Sequence, residues 1–199
     1  PEITDLDLGN TLLSEVKEGT FDKLEKLRNL SLSANDLSIL PDSLFKNNKE
    51  LRILSITDNA LVKLPSSLSS ASNLENLGLG NNRLTNLPDY VGEFASLKQL
   101  DLKFNNISKI SEDTWKNLAK RDGLKIDFIH NNLTSLPSLE DVKFASLDVA
   151  ANMLPAEIPD SYKALKIGEK NQGGYYAQRS SVDYNITAKN GKVEFSNKK

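Results

Sequence analysis

The chain has 199 residues and a formal net charge of −2, with 38% hydrophobic and 26% charged residues. This near-neutral charge gives no reason to expect nucleic-acid binding, and no stretch approaches the roughly 20 consecutive apolar residues needed to span a bilayer. The absence of cysteine excludes disulfides, thiolate chemistry and cysteine-ligated zinc, although it does not define the cellular compartment. We therefore expect a monomeric chain that does not insert into a membrane. Its length is enough for one core or one elongated array.

One eleven-residue pattern recurs along the chain. Its clear copies begin at Ile3, Leu27, Leu51, Leu74, Leu97, Gly123 and Phe144. Apolar residues recur at the first, fourth, sixth and eleventh places, and the ninth place is Asn in every clear copy except the first, which has Thr11. A degenerate further copy begins at Tyr162 and keeps Leu165 and Ile167 at apolar places. Because the fourth and sixth places lie on one side of an extended chain, each copy predicts a short strand with one side in a core.

The pattern resembles that of the leucine-rich repeat family, L-x-x-L-x-L-x-x-N-x-L, over residues 1–172. The resemblance implies an α/β leucine-rich repeat solenoid, a curved array in which each repeat adds one short strand to a parallel concave β-sheet. A loop or short helix on the convex side then returns to the next strand. The physics of repeats agrees, since a single repeat cannot bury its apolar edge whereas stacked repeats bury a continuous one.

The connections between the predicted strands are also repetitive. Four of them place a Leu-Pro pair shortly after the strand, with the prolines at Pro41, Pro65, Pro88 and Pro137. Proline biases the preceding residue to extended geometry, so we expect the chain to turn there instead of continuing as a helix. The fifth connection lacks this proline and predicts a short helix, with Trp115 and Leu118 spaced i, i+3 and Trp115 in the core.

The recurrent asparagines occupy the ninth place: Asn35, Asn59, Asn82, Asn105, Asn131 and Asn152. An Asn side chain could serve as a ligand or a catalytic amide, but recurrence at one repeat position favours a structural role. Backbone groups lose their ladder partners where the chain leaves the strand, and a buried amide can pair with both donors and acceptors.

The repeat pattern stops after Asn171, and residues 173–199 have a different character. Tyr184, Ile186 and Ala188 alternate with polar residues, and the same alternation resumes beyond Asn190-Gly191, the preferred dipeptide of a tight hairpin turn. We predict a C-terminal β-hairpin that either caps the solenoid or begins a following β-domain. Terminal repeats need a polar cover, which favours the cap.

Residues that could carry catalysis are sparse. The single histidine is His130, so no nucleophile–base–acid set can be assembled, and the phosphate-loop, dinucleotide and H-E-x-x-H motifs are absent. We therefore expect no enzyme activity, no cofactor and no metal.

Three consecutive repeats carry aspartate at the fifth place: Asp101, Asp127 and Asp148. A calcium site is one interpretation, because hard cations prefer several carboxylate oxygens. Tolerated repulsion is the other, since two charges about 5 Å apart in water repel by only ~0.8 kcal/mol. Lys103, Lys125 and Lys166 in neighbouring columns would offset part of it, and we favour this second interpretation.

The sixth place of each repeat points inward, so the seventh and eighth places leave the sheet at its exposed edge. In the fifth repeat the eighth place holds Phe104, and the sixth repeat has His130 there and Ile129 at the seventh place. Ala150 and Ala151 follow in the next repeat. We expect Phe104 to be displayed; the alternative is that it packs against the convex-side loop of its own long repeat.

An apolar and aromatic patch confined to repeats five to seven, rimmed by charges, is typical of a contact site. The predicted partner-binding residues are Lys103, Phe104, Lys125, Asp127, Ile129, His130, Asp148 and Ala150. With the family resemblance, they predict a non-enzymatic protein-recognition module that binds a protein ligand through its concave face.

A disulfide-free array with Leu-Pro returns and a C-terminal β-segment also resembles bacterial cell-surface proteins of the internalin type, whose repeats are typically slightly shorter. This resemblance implies a secreted or cell-surface adhesion protein. The alternatives are a cytoplasmic scaffold, and a targeting module of an enzyme whose catalytic domain lies elsewhere.

Overall fold

Each repeat contributes one three-residue strand to a single parallel sheet. The structure, a computed structural model, describes residues 2–137 and 142–155 and the backbone of two further strands, 184–189 and 192–197. In the repeat region the strands are β1 (Asp5–Asp7), β2 (Asn29–Ser31), β3 (Ile53–Ser55), β4 (Asn76–Gly78), β5 (Gln99–Asp101), β6 (Lys125–Asp127) and β7 (Ser146–Asp148). They pair in chain order to form one open, curved sheet of seven strands, which confirms the predicted solenoid.

The strand register follows the repeat pattern without a slip. The fourth-place residues Leu54 and Leu77 are partners across β3 and β4, and the next fourth place, Leu100, is the partner of Leu77. The sixth-place residues beside them, such as Ile56, are fully buried, whereas the fifth-place Ser55 between the two apolar positions is partly exposed. The alternation therefore buries the side chains of the fourth and sixth places. It leaves the fifth place on the concave face of the sheet, exposed to solvent.

Trp115 lies in the core, as predicted. It belongs to the helix α1 (Glu112–Ala119), whose first turn is capped by the Ser111 hydroxyl accepting the Thr114 N–H at 3.1 Å. The indole packs against Phe128 and Phe144, with ring centroids 5.5 and 6.2 Å away. A large aromatic cluster thus fills the space beneath repeats five to seven.

The Leu-Pro connections differ in detail from the expectation. Short 3₁₀ helices, Ser66–Ser70 and Asp89–Glu93, begin directly after Pro65 and Pro88, where we expected a turn without helix. Each proline is extended, with ψ near 140°, and stands as the residue before the helix, where its missing N–H removes no hydrogen bond.

The ninth-place asparagines join neighbouring repeats. Asn105 Nδ2 donates to the carbonyls of Leu79 at 2.9 Å and Leu102 at 3.1 Å, while its Oδ1 accepts the Leu84 N–H at 3.0 Å. Five members of the row are buried: Asn35, Asn82, Asn105, Asn131 and Asn152. Asn59 makes the same type of bonds but is only partly buried. The amides therefore replace the ladder bonds that end with the strands.

The two C-terminal strands are β8 (Tyr184–Lys189) and β9 (Lys192–Asn197). They pair antiparallel, with Ile186 opposite Phe195, as the predicted hairpin requires. The turn at residues 190–191, the degenerate copy from Tyr162 and Lys166 lie outside the described residues, and a cap or a following domain stays a prediction. In the part of the chain that is described, no helix has the length and apolar character to cross a membrane.

Candidate recognition surface

The eighth place of every clear repeat has a left-handed backbone. Its φ lies between 53° and 56° at Asn10, Ala34, Asp58, Asn81, Phe104, His130 and Ala151. This conformation turns the chain out of the strand. Asn, Asp and His adopt it more often than other residues with side chains, while for a bulky residue such as Phe it is an outlier that costs roughly 1–2 kcal/mol.

Phe104 and His130 are the two large rings in this row. Their centroids lie 4.8 Å apart and their planes differ by 16°, so the rings stack. Phe104 is 47% exposed and His130 is also exposed, in agreement with the expected display of Phe104. Stacking contributes about 0.5–1.5 kcal/mol, which is close to the cost of one strained residue.

The backbone beneath this aromatic pair is held by its neighbours. The Phe104 N–H donates to the Ile129 carbonyl at 2.7 Å, and the His130 N–H donates to the Ala150 carbonyl at 3.0 Å. The backbones of both left-handed residues are therefore fixed between repeats.

The three aspartates form the predicted column. Asp101 is the sheet partner of Asp127, which is the partner of Asp148. One Oδ1 atom of each accepts the N–H two residues later: Lys103 at 3.1 Å, Ile129 at 2.9 Å and Ala150 at 3.0 Å. Each carboxylate thus stabilises the backbone where its strand ends.

Asp127 is the central carboxylate of the column, with an aspartate on each side. Burial raises the pKa of Asp127, the Ile129 N–H opposes that change, and the charges of Asp101 and Asp148 raise the pKa further. Lys103 Nζ lies 3.3 Å from Asp101 Oδ2, and its charge opposes part of this effect at Asp127. Among residues 2–137 and 142–155, no group of three or more acidic or histidine side chains is arranged to hold a metal ion.

Strands β5 to β7 enclose a hollow of about 300 Å³ on the concave face. It is lined by Gln99, Leu100, Asp101, Lys103, Lys125, Ile126, Asp127, Ser146 and Asp148. The structure therefore brings together four of the predicted binding residues, Lys103, Lys125, Asp127 and Asp148, in one hollow. The aromatic pair lies at the eighth place of the same repeats.

Ala150, one of the predicted partner-binding residues, is buried, which argues against that role. Ala150 is only 5% exposed, and the adjacent Ala151 is 8% exposed. The Ala150 N–H is bonded to Asp148 and its carbonyl accepts the His130 N–H, so the chain of repeat six lies against it. The side chain of Ala150 is a single methyl group, which does not project past the backbone of repeat six. Ile129 at the same place of repeat six has a longer side chain and is partly exposed.

Two features were missed by the sequence analysis. The left-handed row has a sequence signal in retrospect, because Asn10, Asp58 and Asn81 are residue types that favour this conformation. Five large apolar side chains on repeats one to three are also exposed: Ile3, Leu12, Ile39, Ile53 and Val62. These occupy different places of the repeat, so no periodic pattern marks them.

The geometry agrees with what the chain is similar to. A family model described as Leucine rich repeat matches residues 26–84 and 72–133. No curated protein sequence matches the chain significantly.

Two solved structures show the same fold. The chain is 28% identical to TLR13 in the crystal structure of a TLR13–ssRNA13 complex, with a TM-score of 0.69 over 81% of this chain and 23% of TLR13. It is 26% identical to the LRR protein LIC12759 of Leptospira interrogans, with a TM-score of 0.61 over 76% of this chain and 38% of that protein. This chain thus spans well under half the length of either relative.

The family match covers more than half of the sequence, and it coincides with the strands and the buried Asn row that the repeats build. The chain belongs to the leucine-rich repeat family.

Proposed function

We propose that this chain is a non-enzymatic recognition module that binds a partner protein through repeats five to seven. Leucine-rich repeat domains generally mediate recognition of proteins or other ligands, and typically do not catalyse reactions. The observation that carries the proposal is the exposed stack of Phe104 on His130, on left-handed backbone that holds Asn, Asp or Ala in other repeats.

An exposed and rigid aromatic pair suits a binding anchor. Aromatic side chains offer a large contact area with few rotatable bonds, and residues already held in place lose little entropy on association. The hollow of β5 to β7 supplies charged groups beside this anchor. The proposed contact residues are Lys103, Phe104, Lys125, Asp127, Ile129, His130 and Asp148.

Single-stranded RNA is the second candidate ligand. The TLR13 structure is a complex with ssRNA13, which bears against the expectation of no nucleic acid, and exposed aromatic rings can stack on bases. The concave face of repeats five to seven, however, carries Asp101, Asp127 and Asp148, which would repel phosphates. Protein recognition is therefore the function that this surface supports best.

We further propose that the module belongs to a secreted or cell-surface bacterial protein of the internalin type. The Leu-Pro connections and the C-terminal pair of β-strands support this proposal. Protease treatment of intact cells tests it: a surface protein is digested, whereas a cytoplasmic scaffold or enzyme-targeting module is protected.

The binding proposal is tested by capturing a partner with the wild-type chain as bait, identifying it by mass spectrometry and measuring Kd for variants. Phe104→Ala and Ile129→Ala should each weaken binding by more than about 1 kcal/mol, as truncating an anchor does. The matched controls are Ser31→Ala and Ser55→Ala on the concave face of early repeats, and both should leave Kd nearly unchanged.

The opposite pattern would contradict the proposal. If the early-repeat changes weaken binding while the Phe104 change is silent, the contact site lies on the other half of the array. Tight binding of single-stranded RNA that is lost in Phe104→Ala would instead support the second candidate.

A further inference from the structure

We propose that the partner protein presents one basic side chain, Arg or Lys, next to a large apolar or planar side chain. The basic group enters the hollow of β5 to β7, and the apolar group packs on the Phe104–His130 pair. This inference rests on the proposed function and adds the chemistry of the partner.

The apolar subsite is the aromatic pair with its neighbour. Phe104 keeps 47% of its surface exposed although it stacks on His130, and Ile129 is partly exposed beside them. The inter-repeat hydrogen bonds of the Phe104 and His130 N–H groups hold the backbone beneath this surface in place before binding. A large apolar side chain would remove exposed ring surface from water at little cost in conformational entropy.

The cationic subsite follows from the charges of the hollow. Its ionisable residues are Asp101, Asp127, Asp148, Lys103 and Lys125, which leaves one excess negative charge. Lys103 pairs with Asp101 at 3.3 Å, whereas Asp127 and Asp148 form no ion pair with any described residue. A single cation between these two carboxylates would neutralise the excess and relieve their mutual repulsion.

The two subsites are close enough for one short segment. Asp127 and His130 are three residues apart, so their Cα atoms lie within about 11 Å of each other. Side chains on the same side of an extended segment are roughly 7 Å apart. The lengths of an Arg side chain and an aromatic side chain cover the remaining distance between the two subsites. One strand or loop of a partner can therefore fill both subsites.

The test selects a phage-displayed library of random short peptides on the full 199-residue chain. We expect enrichment of sequences with Arg or Lys within two positions of an aromatic residue or Leu. For a synthetic peptide of that sequence, Asp127→Asn and Phe104→Asn should each weaken binding about tenfold, and changing the peptide's basic residue to Gln should add little to the Asp127→Asn loss.

Asp7→Asn is the matched control, because Asp7 makes the same bond to the backbone, to the Gly9 N–H at 2.8 Å, but lies on repeat one. It should leave the affinity unchanged. Thermal unfolding of each variant establishes that the fold is intact, and the amide oxygen that Asp127→Asn introduces can still accept the Ile129 N–H.

Distinct outcomes separate this inference from the proposed function. If Phe104→Asn weakens binding but Asp127→Asn does not, the partner chemistry is wrong and the recognition surface stands. Selection of acidic peptides, or of none, also overturns the inference. If only Ser31 or Ser55 changes matter, both proposals fail. A single-stranded RNA oligonucleotide that binds this surface more tightly than the peptide would overturn the choice of a protein.

Discussion

Repeats one to four and repeats five to seven share one backbone but differ in the residues they place at its most constrained position. The left-handed eighth place holds Asn10, Ala34, Asp58 and Asn81 in the first group. In the second group it holds Phe104 and His130 before returning to Ala151. The early repeats show what the fold tolerates easily, so the aromatic residues of the later repeats need a reason beyond folding.

The fifth place shows the same contrast. Asp7 on β1 is the sheet partner of Ser31, and the following repeats carry Ser55 and Gly78. On β5 to β7 every fifth place is an aspartate beside another aspartate. The later repeats therefore carry both left-handed backbone at aromatic rings and repulsion between carboxylates, whereas repeats one to four carry small or polar residues at the eighth place and a single aspartate at the fifth.

The largest expected effect concerns a phenylalanine of repeat six that does belong to the core. Phe128 is fully buried at the sixth place and contacts Trp115. Phe128→Ala should lower the free energy of unfolding by ~3–5 kcal/mol, measured by urea denaturation, because it leaves a cavity. A loss below about 1 kcal/mol would show that Phe128 is not a core residue, and therefore does not differ from the exposed Phe104 as described.

The next effect concerns the buried asparagine row that both halves share. Asn105→Ala should destabilise the chain by ~1–3 kcal/mol, because the carbonyls and the N–H that it pairs stay buried. The control is Asn106→Ala at the exposed next residue, which should change the free energy of unfolding by only a few tenths of a kcal/mol. Equal losses at the two positions would refute the structural role of the row.

A smaller effect tests the strain in an early repeat. Ala34 has φ of 55° and is not fully buried, so Ala34→Gly should raise the free energy of unfolding by about 0.5–1 kcal/mol by removing a side chain from left-handed backbone. Ala145→Gly, at a position without positive φ, should lower stability, because glycine adds conformations to the unfolded chain. Differential scanning calorimetry compares the two variants.

The smallest effect depends on pH. Because the folded pKa of Asp127 is raised, this group contributes stability below its unfolded pKa, and the contribution is lost as pH rises through the folded pKa. At neutral pH, Asp127→Asn should therefore stabilise the chain, by less than about 1 kcal/mol because the site is partly solvated. The sheet partner of Asp7 is Ser31 and not an aspartate, so Asp7→Asn should give no such gain. Urea denaturation across pH should show the Asp127→Asn gain vanishing in acid.

Much of the fold could be predicted from the spacing of particular residues. The recurrence of Leu54, Leu77 and Leu100 gave the strands and their register, and the spacing of Trp115 and Leu118 gave the helix. These features follow from local periodicity and burial, which are visible in the sequence.

The site could be predicted only in part. The exposure of Phe104 followed from strand alternation, but its left-handed backbone did not, since a bulky residue such as Phe is an outlier in that conformation. The burial of Ala150 depends on the path of repeat six across it, which periodicity does not describe. The stacking of the two rings likewise depends on how closely consecutive repeats approach.

The double variant Phe104→Asn/His130→Asn gives the later repeats the residue type that repeats one and four carry at this place. Its free energy of unfolding in urea tests the central claim, that the aromatic pair is maintained for contact and not for folding. Loss of the stack and relief of the left-handed strain should nearly cancel, leaving the variant within about 1 kcal/mol of the wild-type chain. A loss of ~3 kcal/mol or more, the range for a buried aromatic ring, would contradict the account.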